Sequence, residues 1–89
     1  MIELVWDQPF LRLFKKWQKR HPDLVETFRK KLSLFTHEPY HPSLRTHRLT
    51  GQLQAYWAFS ITYEYRVVFE FLAENRVLLI DIGTHDEVY

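Results

Sequence analysis

The chain has no cysteine, two glycines and one methionine. Without cysteine there are no disulfide staples, no thiolate nucleophiles and no cysteine-ligated zinc, which is compatible with a reducing compartment. With glycine confined to Gly51 and Gly83, no glycine-rich loop can cradle a phosphate, and no serine sits in a nucleophile-elbow motif. No apolar run approaches the roughly 20 residues of a membrane span. The opening Met1-Ile2-Glu3-Leu4-Val5-Trp6-Asp7 lacks the basic region and long apolar segment of a secretory signal. The expectation is a soluble, cytoplasmic protein with no membrane contact and no cofactor.

What is present is enough apolar material for one core. The 89 residues make a single domain over residues 1–89, with 46% apolar and 17% aromatic side chains. Rings in excess of what a small core can hold remain for stacking on bases or on a partner. The net charge of +1 conceals an asymmetry: residues 1–50 carry ten Lys/Arg against five Asp/Glu, and residues 51–89 carry two against six. The basic half either faces an anion such as nucleic acid or is the solvated side of amphipathic helices.

Along the chain, Ile2, Leu4 and Trp6 alternate with Glu3, Val5 and Asp7, a short strand with one face inward. Asp7 or Gln8 followed by Pro9 opens a helix. Phe10, Leu13, Phe14 and Trp17 form its apolar stripe, and Arg12, Lys15, Lys16, Lys19 and Arg20 take the other face. His21-Pro22 ends it. Pro22-Asp23 opens a second helix with the stripe Leu24, Val25, Phe28, Leu32 and Phe35, so that a helical hairpin forms. Residues 36–51 show neither period and read as loop. Strands follow over 57–62, 65–72 and 76–82, the last two joined by an Ala73-Glu74-Asn75 turn. The order β-α-α-β-β-β predicts an α+β fold: one antiparallel sheet with an N-terminal helical hairpin packed on one face.

Five histidines are present, at 21, 37, 41, 47 and 85. The spacing His37-Glu38-Pro39-Tyr40-His41 suits a metal only on a helix, which Pro39 opposes, so no metal site is expected. His21 and His41 precede prolines and read as loop or capping residues. Three groups stand out. Arg45, His47 and Arg48 close the long loop, Glu64, Tyr65 and Arg66 open the third strand, and His85 and Tyr89 end the chain. A histidine at a strand end is held by a rigid scaffold yet open to solvent, as a proton-transfer group requires. Sheet topology can bring such strand ends to one edge. A base, a cation and an acid placed there suffice for RNA cleavage, in which a 2′-hydroxyl attacks the adjacent phosphorus. A ring stacked on a splayed base would hold the in-line geometry. Asp86 and Glu87 beside His85 would repel a phosphate unless they point away. Each residue taken singly also has a plainer role, as core ring, turn residue or ion-pair partner.

With these residues assembled, the chain resembles the RelE/ParE superfamily of type II toxin–antitoxin toxins. The resemblance rests on size, element order, His47-Arg48-Leu49-Thr50-Gly51, Tyr65-Arg66-Val67-Val68-Phe69 and the ending Gly83-Thr84-His85-Asp86-Glu87-Val88-Tyr89. The ending looks most like the YafQ branch. The resemblance implies an endoribonuclease that cuts mRNA in the ribosomal A site without metal, neutralised by a cognate antitoxin in a hetero-oligomer. It implies His85 as general acid, Tyr89 as the aromatic that positions substrate, and His47 as base or phosphate ligand. It implies Arg66 as the cation on the phosphorane. Glu64 falls where the branch has an aspartate, Tyr65 where it has a tryptophan, and Ser60 near its second histidine. Tyr65, Arg45 and Arg48 complete the expected substrate-binding set. The same fold also serves ParE-type toxins that inhibit DNA gyrase by binding, without acid–base chemistry. In either case an antitoxin segment is expected on apolar surface around the first helix or the sheet edge, with Leu11, off the main stripe, as a contact.

Overall fold

The computed structural model describes residues 1–53 and 55–88. The elements in chain order are β1 (Glu3–Val5), α1 (Gln8–Arg20), α2 (Val25–His37), β2 (His47–Arg48), β3 (Trp57–Ser60), β4 (Tyr65–Ala73), β5 (Arg76–Thr84) and a single closing turn, α3 (His85–Val88). Short 3-10 turns at Pro22–Leu24, Pro42–Leu44 and Gly51–Leu53 connect them. One five-stranded sheet runs β1-β5-β4-β3-β2, with the hairpin α1–α2 on one face. Among the described residues no helix is long and apolar enough to cross a membrane.

Local chemistry sets the helix ends. Asp7 Oδ1 accepts a hydrogen bond from the Phe10 N–H at 3.0 Å, capping α1, and Pro9 sits in the first turn. Lys19 and Arg20 in the last turn complement the helix dipole. The helix stops at His21, before Pro22. His37 ends α2, with Nδ1 2.9 Å from the Ser33 carbonyl oxygen. His41 Nδ1 accepts from the Ser43 N–H and caps the next turn. Both histidines of the His37–His41 segment are therefore engaged in helix and turn ends.

The main core lies between helices and sheet. Phe10 and Trp17 of α1, Phe28 and Phe35 of α2, and Phe59, Val67, Phe69, Val77 and Leu79 of the sheet are buried in it. Its aromatic rings meet in edge-on, tilted and stacked pairs: Trp6 with Phe10 edge-on at 5.3 Å, Phe14 with Phe28 tilted at 4.7 Å, and Phe35 with Phe59 stacked at 4.5 Å. Leu13, assigned by spacing to the buried stripe, is 38% exposed, whereas Leu11 is half-buried. Phe10, Phe14 and Trp17 carry the packing of α1 against the core, and Leu13 is the more open of the two leucines.

Two features of the sheet depart from the sequence reading. β3, β4 and β5 are antiparallel, but β1 pairs with β5 in parallel, Glu3 opposite Arg76 and Val5 opposite Leu78. Alternation in Ile2-Leu4-Trp6 specifies which face is buried and carries no information on strand direction. β2 also emerges from the segment read as loop and pairs with β3, His47 opposite Ala58 and Arg48 opposite Trp57. Two residues are too few to show a period.

A smaller cluster covers part of the sheet's other face: Leu49, Ala58 and Val68, with Leu53, Tyr56, Ile80 and Val88 against them. Ile80 reaches it through a bulge, since Val68 faces Asp81 while Phe69 faces Leu79.

Candidate functional site

Strand alternation decides which side chains can meet. In β4, Tyr65, Val67 and Phe69 face the helices, so Arg66 and Val68 face the other way. Arg66 lies between Ser60 of β3 and Gly83 of β5. β5 continues two residues past the predicted end, to Thr84, and delivers His85 to the first position of α3. The β3–β4 connection brings Tyr63 and Glu64 to the same edge, and β2 brings His47.

These residues line one open cleft of about 460 Å³: His47, Tyr63, Glu64, Arg66, Thr84, His85 and Asp86. Four of the expected site residues, His47, Glu64, Arg66 and His85, thus share one cavity although they span positions 47 to 85. Arg48 lines an adjoining cavity of about 290 Å³ that it shares with His47 and His85. Arg45 lies on the other flank, its Cζ 6.0 Å from the Tyr63 ring. Tyr65 is not in the cleft. Its ring lies 4.6 Å from that of His21 and 5.8 Å from that of Trp17, on the helical side, as its position next to Arg66 requires. Tyr89 lies outside the described residues.

Backbone devices hold the site. His47 Nδ1 lies 2.8 Å from the Arg45 carbonyl oxygen. A carbonyl only accepts, so Nδ1 carries a proton, and in the neutral ring Nε2 is the basic nitrogen. Arg45 makes this contact from a left-handed backbone, φ 51° and ψ 39°. Thr62 shapes the β3–β4 turn, its Oγ1 accepting from the N–H groups of Glu64 and Tyr65 at 3.2 Å each.

The closing turn is a reciprocal cap. The Thr84 N–H donates to Glu87 Oε1 at 2.8 Å, and the Glu87 N–H donates to Thr84 Oγ1 at 3.3 Å. The Thr84 N–H, and after it the Thr84 hydroxyl, hold the Glu87 carboxyl below its usual range. Glu87 therefore points to the backbone it caps, while Asp86 remains on the cleft wall. Gly83 permits the fold-back: a Cβ there would lie 3.1 Å from Val88 Cγ1 and from Glu87 Oε1. Behind the turn, burial raises the Asp81 carboxyl above its usual value, the Ile82 N–H opposes that, and the Glu87 charge adds to it.

Tyr63, Thr84 and Asp86 were not among the expected site residues. Thr84-x-x-Glu87 carries a capping-box signature. Tyr63 has a weaker one: a large ring in a turn, outside any apolar period.

No family model matches the chain, and no curated protein sequence matches it. Solved structures do. YafQ from E. coli strain BL21(DE3) is 16% identical with a TM-score of 0.80, covering 100% of this chain and 99% of that one. The YoeB/ParE toxin from Agrobacterium tumefaciens is 24% identical with a TM-score of 0.72, covering 94% and 99%. The E. coli DinJ-YafQ toxin–antitoxin complex gives 18% identity and a TM-score of 0.78, covering 99% and 97%. At these identities the likeness establishes the fold. Two helices on a five-stranded, mostly antiparallel sheet is the RelE-like toxin architecture.

Proposed function

We propose that the chain is the toxin of a type II toxin–antitoxin pair, a RelE/ParE-superfamily member of YafQ-like type, and that its cleft cuts mRNA in the ribosomal A site. The observation that carries this reading is a single open cleft holding two imidazoles and a guanidinium, His47, His85 and Arg66, together with two carboxylates, Glu64 and Asp86. Few reactions need two proton carriers and a cation without a nucleophilic side chain. Transesterification of RNA is one.

In this reading His47 Nε2 takes the proton of a 2′-hydroxyl, the choice favoured by the Nδ1 contact to Arg45. The 2′-oxygen bonds to the adjacent phosphorus, and the bond from phosphorus to the 5′-oxygen breaks. His85 delivers a proton to the departing 5′-oxygen. The products are a 2′,3′-cyclic phosphate and a 5′-hydroxyl. Arg66 faces the negative charge that accumulates on the phosphorane, where a preorganised cation counts most. Glu64 supplies a carboxylate that can accept a hydrogen bond from a protonated imidazole. Arg45 and Arg48 flank the cleft and hold the strand's phosphates. The exposed Lys15, Lys16, Lys19, Arg20, Arg29 and Lys30 on the helices extend this attraction. A cognate antitoxin would cover apolar surface of α1, where Leu13 is the open side chain.

Primer extension on cellular mRNA after induction without antitoxin tests the proposal. Cuts within translated regions are expected, and they should vanish in a His85→Ala protein that melts with the parent. Absence of cuts together with inhibition of gyrase supercoiling would replace this reading with the non-enzymatic, ParE-like one.

A further inference from the structure

Tyr63 is 83% exposed, yet it stands at the centre of the site's geometry. Its ring borders two cavities. On one side is the cleft with His85 and Arg66. On the other is a cavity of about 170 Å³ whose lining includes Lys31 of α2 and Arg45. The second cavity falls below the ~300–1,000 Å³ of small-molecule pockets, so it suits an anion rather than a whole nucleoside. Both of its charged side chains are cations.

Arg45 adds an independent observation. Its Cζ lies 6.0 Å from the Tyr63 ring centroid, within cation–π range. Among the described residues it is the one non-glycine position with positive φ, where an L side chain is disfavoured. Glycine would fit that backbone better. Arginine at this position carries a conformational cost, and its guanidinium lies over the exposed ring.

We infer that Tyr63 and the Lys31–Arg45 cavity form a second nucleotide subsite beside the cleft. The free face of the Tyr63 ring takes the nucleobase next to the scissile bond. Lys31 and Arg45 take that nucleotide's outer phosphate. Fixing the neighbouring nucleotide at base and phosphate holds the scissile unit in line for attack. Tyr63 is thus a positioning residue that acts through the substrate. The subsite rests on the RNA-cleavage reading above.

The test is cleavage of an mRNA bound to programmed ribosomes, measured against protein concentration for the parent, Tyr63→Ala, Tyr63→Phe and Lys31→Ala. Loss of one base stack should raise the half-saturating concentration of Tyr63→Ala about tenfold. Tyr63→Phe keeps the ring and should stay within about twofold of the parent, while Lys31→Ala should fall between them. Melting temperature should be unchanged for Tyr63→Phe, and for Tyr63→Ala it should fall by no more than about 2–4 °C, since the ring is exposed and only the Arg45 contact is lost. Parental behaviour of Tyr63→Ala, equal impairment of Tyr63→Phe, or a large drop in melting temperature for Tyr63→Ala would each overturn the subsite. Failure of the parent to cleave would overturn the RNA reading itself, and the subsite with it.

Discussion

Arg45 offers a pair of substitutions that should differ in stability and not in activity. Its backbone is left-handed, φ 51° and ψ 39°. For an L residue this conformation costs about 1–2 kcal/mol, a cost that glycine escapes. Glycine in turn loses about 0.5–1 kcal/mol more chain entropy on folding. Arg45→Gly and Arg45→Ala both remove the guanidinium over Tyr63, an exposed contact worth about 0.5 kcal/mol, so their difference isolates the backbone. Arg45→Gly should therefore be more stable than Arg45→Ala by about 0.5–1 kcal/mol. For a domain of this size that is a difference of about 2–8 °C in melting temperature. Both variants keep the carbonyl oxygen that faces His47 Nδ1, and both lose the cation. Their mRNA cleavage should be reduced equally despite the gap in stability. Thermal melts by circular dichroism and cleavage titrations on programmed ribosomes read the two quantities. If Arg45→Ala melts at or above Arg45→Gly, the backbone there is not strained. If Arg45→Gly cleaves as the parent does, the guanidinium has no part in holding RNA.

Two further substitutions probe the closing turn. Gly83→Ala would place a Cβ 3.1 Å from Val88 Cγ1 and 3.2 Å from Glu87 Cβ, an overpacking of the kind that costs about 1–3 kcal/mol. Because α3 carries His85, cleavage should fall by about tenfold or more alongside the loss in melting temperature, and parental values of both would remove Gly83 from the account. Asp81→Asn keeps an acceptor for the Ile82 N–H and removes a charge that burial disfavours. A carboxyl whose folded pKa lies above its unfolded value binds its proton more tightly in the fold. Its ionisation therefore lowers stability as pH rises from about 3.8 through the raised value. Asp81→Asn should melt above the parent at neutral pH, with the difference closing below about pH 4. A constant difference across that range would show that desolvation of the charge is not the cause.

The helices were legible because several signals agree: Asp7 and Pro9 at a start, His21-Pro22 at an end, and aromatic residues at helical spacing between them. β3 to β5 were legible for the same reason, with β-rich runs and turn residues at each boundary. The parallel sense of β1 was not, because direction is chosen by tertiary pairing with β5. Nor was the inward side of α1 quite, since Leu11 and Leu13 both adjoin the apolar stripe and packing decides between them. At the cleft, the chemistry of His47, Glu64, Arg66 and His85 could be read from residue type, and their convergence could not. Tyr63 and Tyr65 show the limit most sharply. Both tyrosines flank Glu64, but one lies in a turn while the other faces the helices, a distinction set by where β4 begins. The Thr84–Glu87 cap follows a recognisable pattern, but four residues carry no helical period to prompt it.

The central claim is that His47 and His85 move protons during attack by a 2′-hydroxyl on the adjacent phosphorus. End-group analysis of the cut mRNA tests it most directly. Purified protein added to ribosomes programmed with a defined mRNA should leave 2′,3′-cyclic phosphate on the upstream fragment and 5′-hydroxyl on the downstream one. His47→Ala and His85→Ala proteins that melt with the parent should leave the mRNA intact. Fragments ending in 3′-hydroxyl and 5′-phosphate, or full cleavage by either folded variant, would contradict the account.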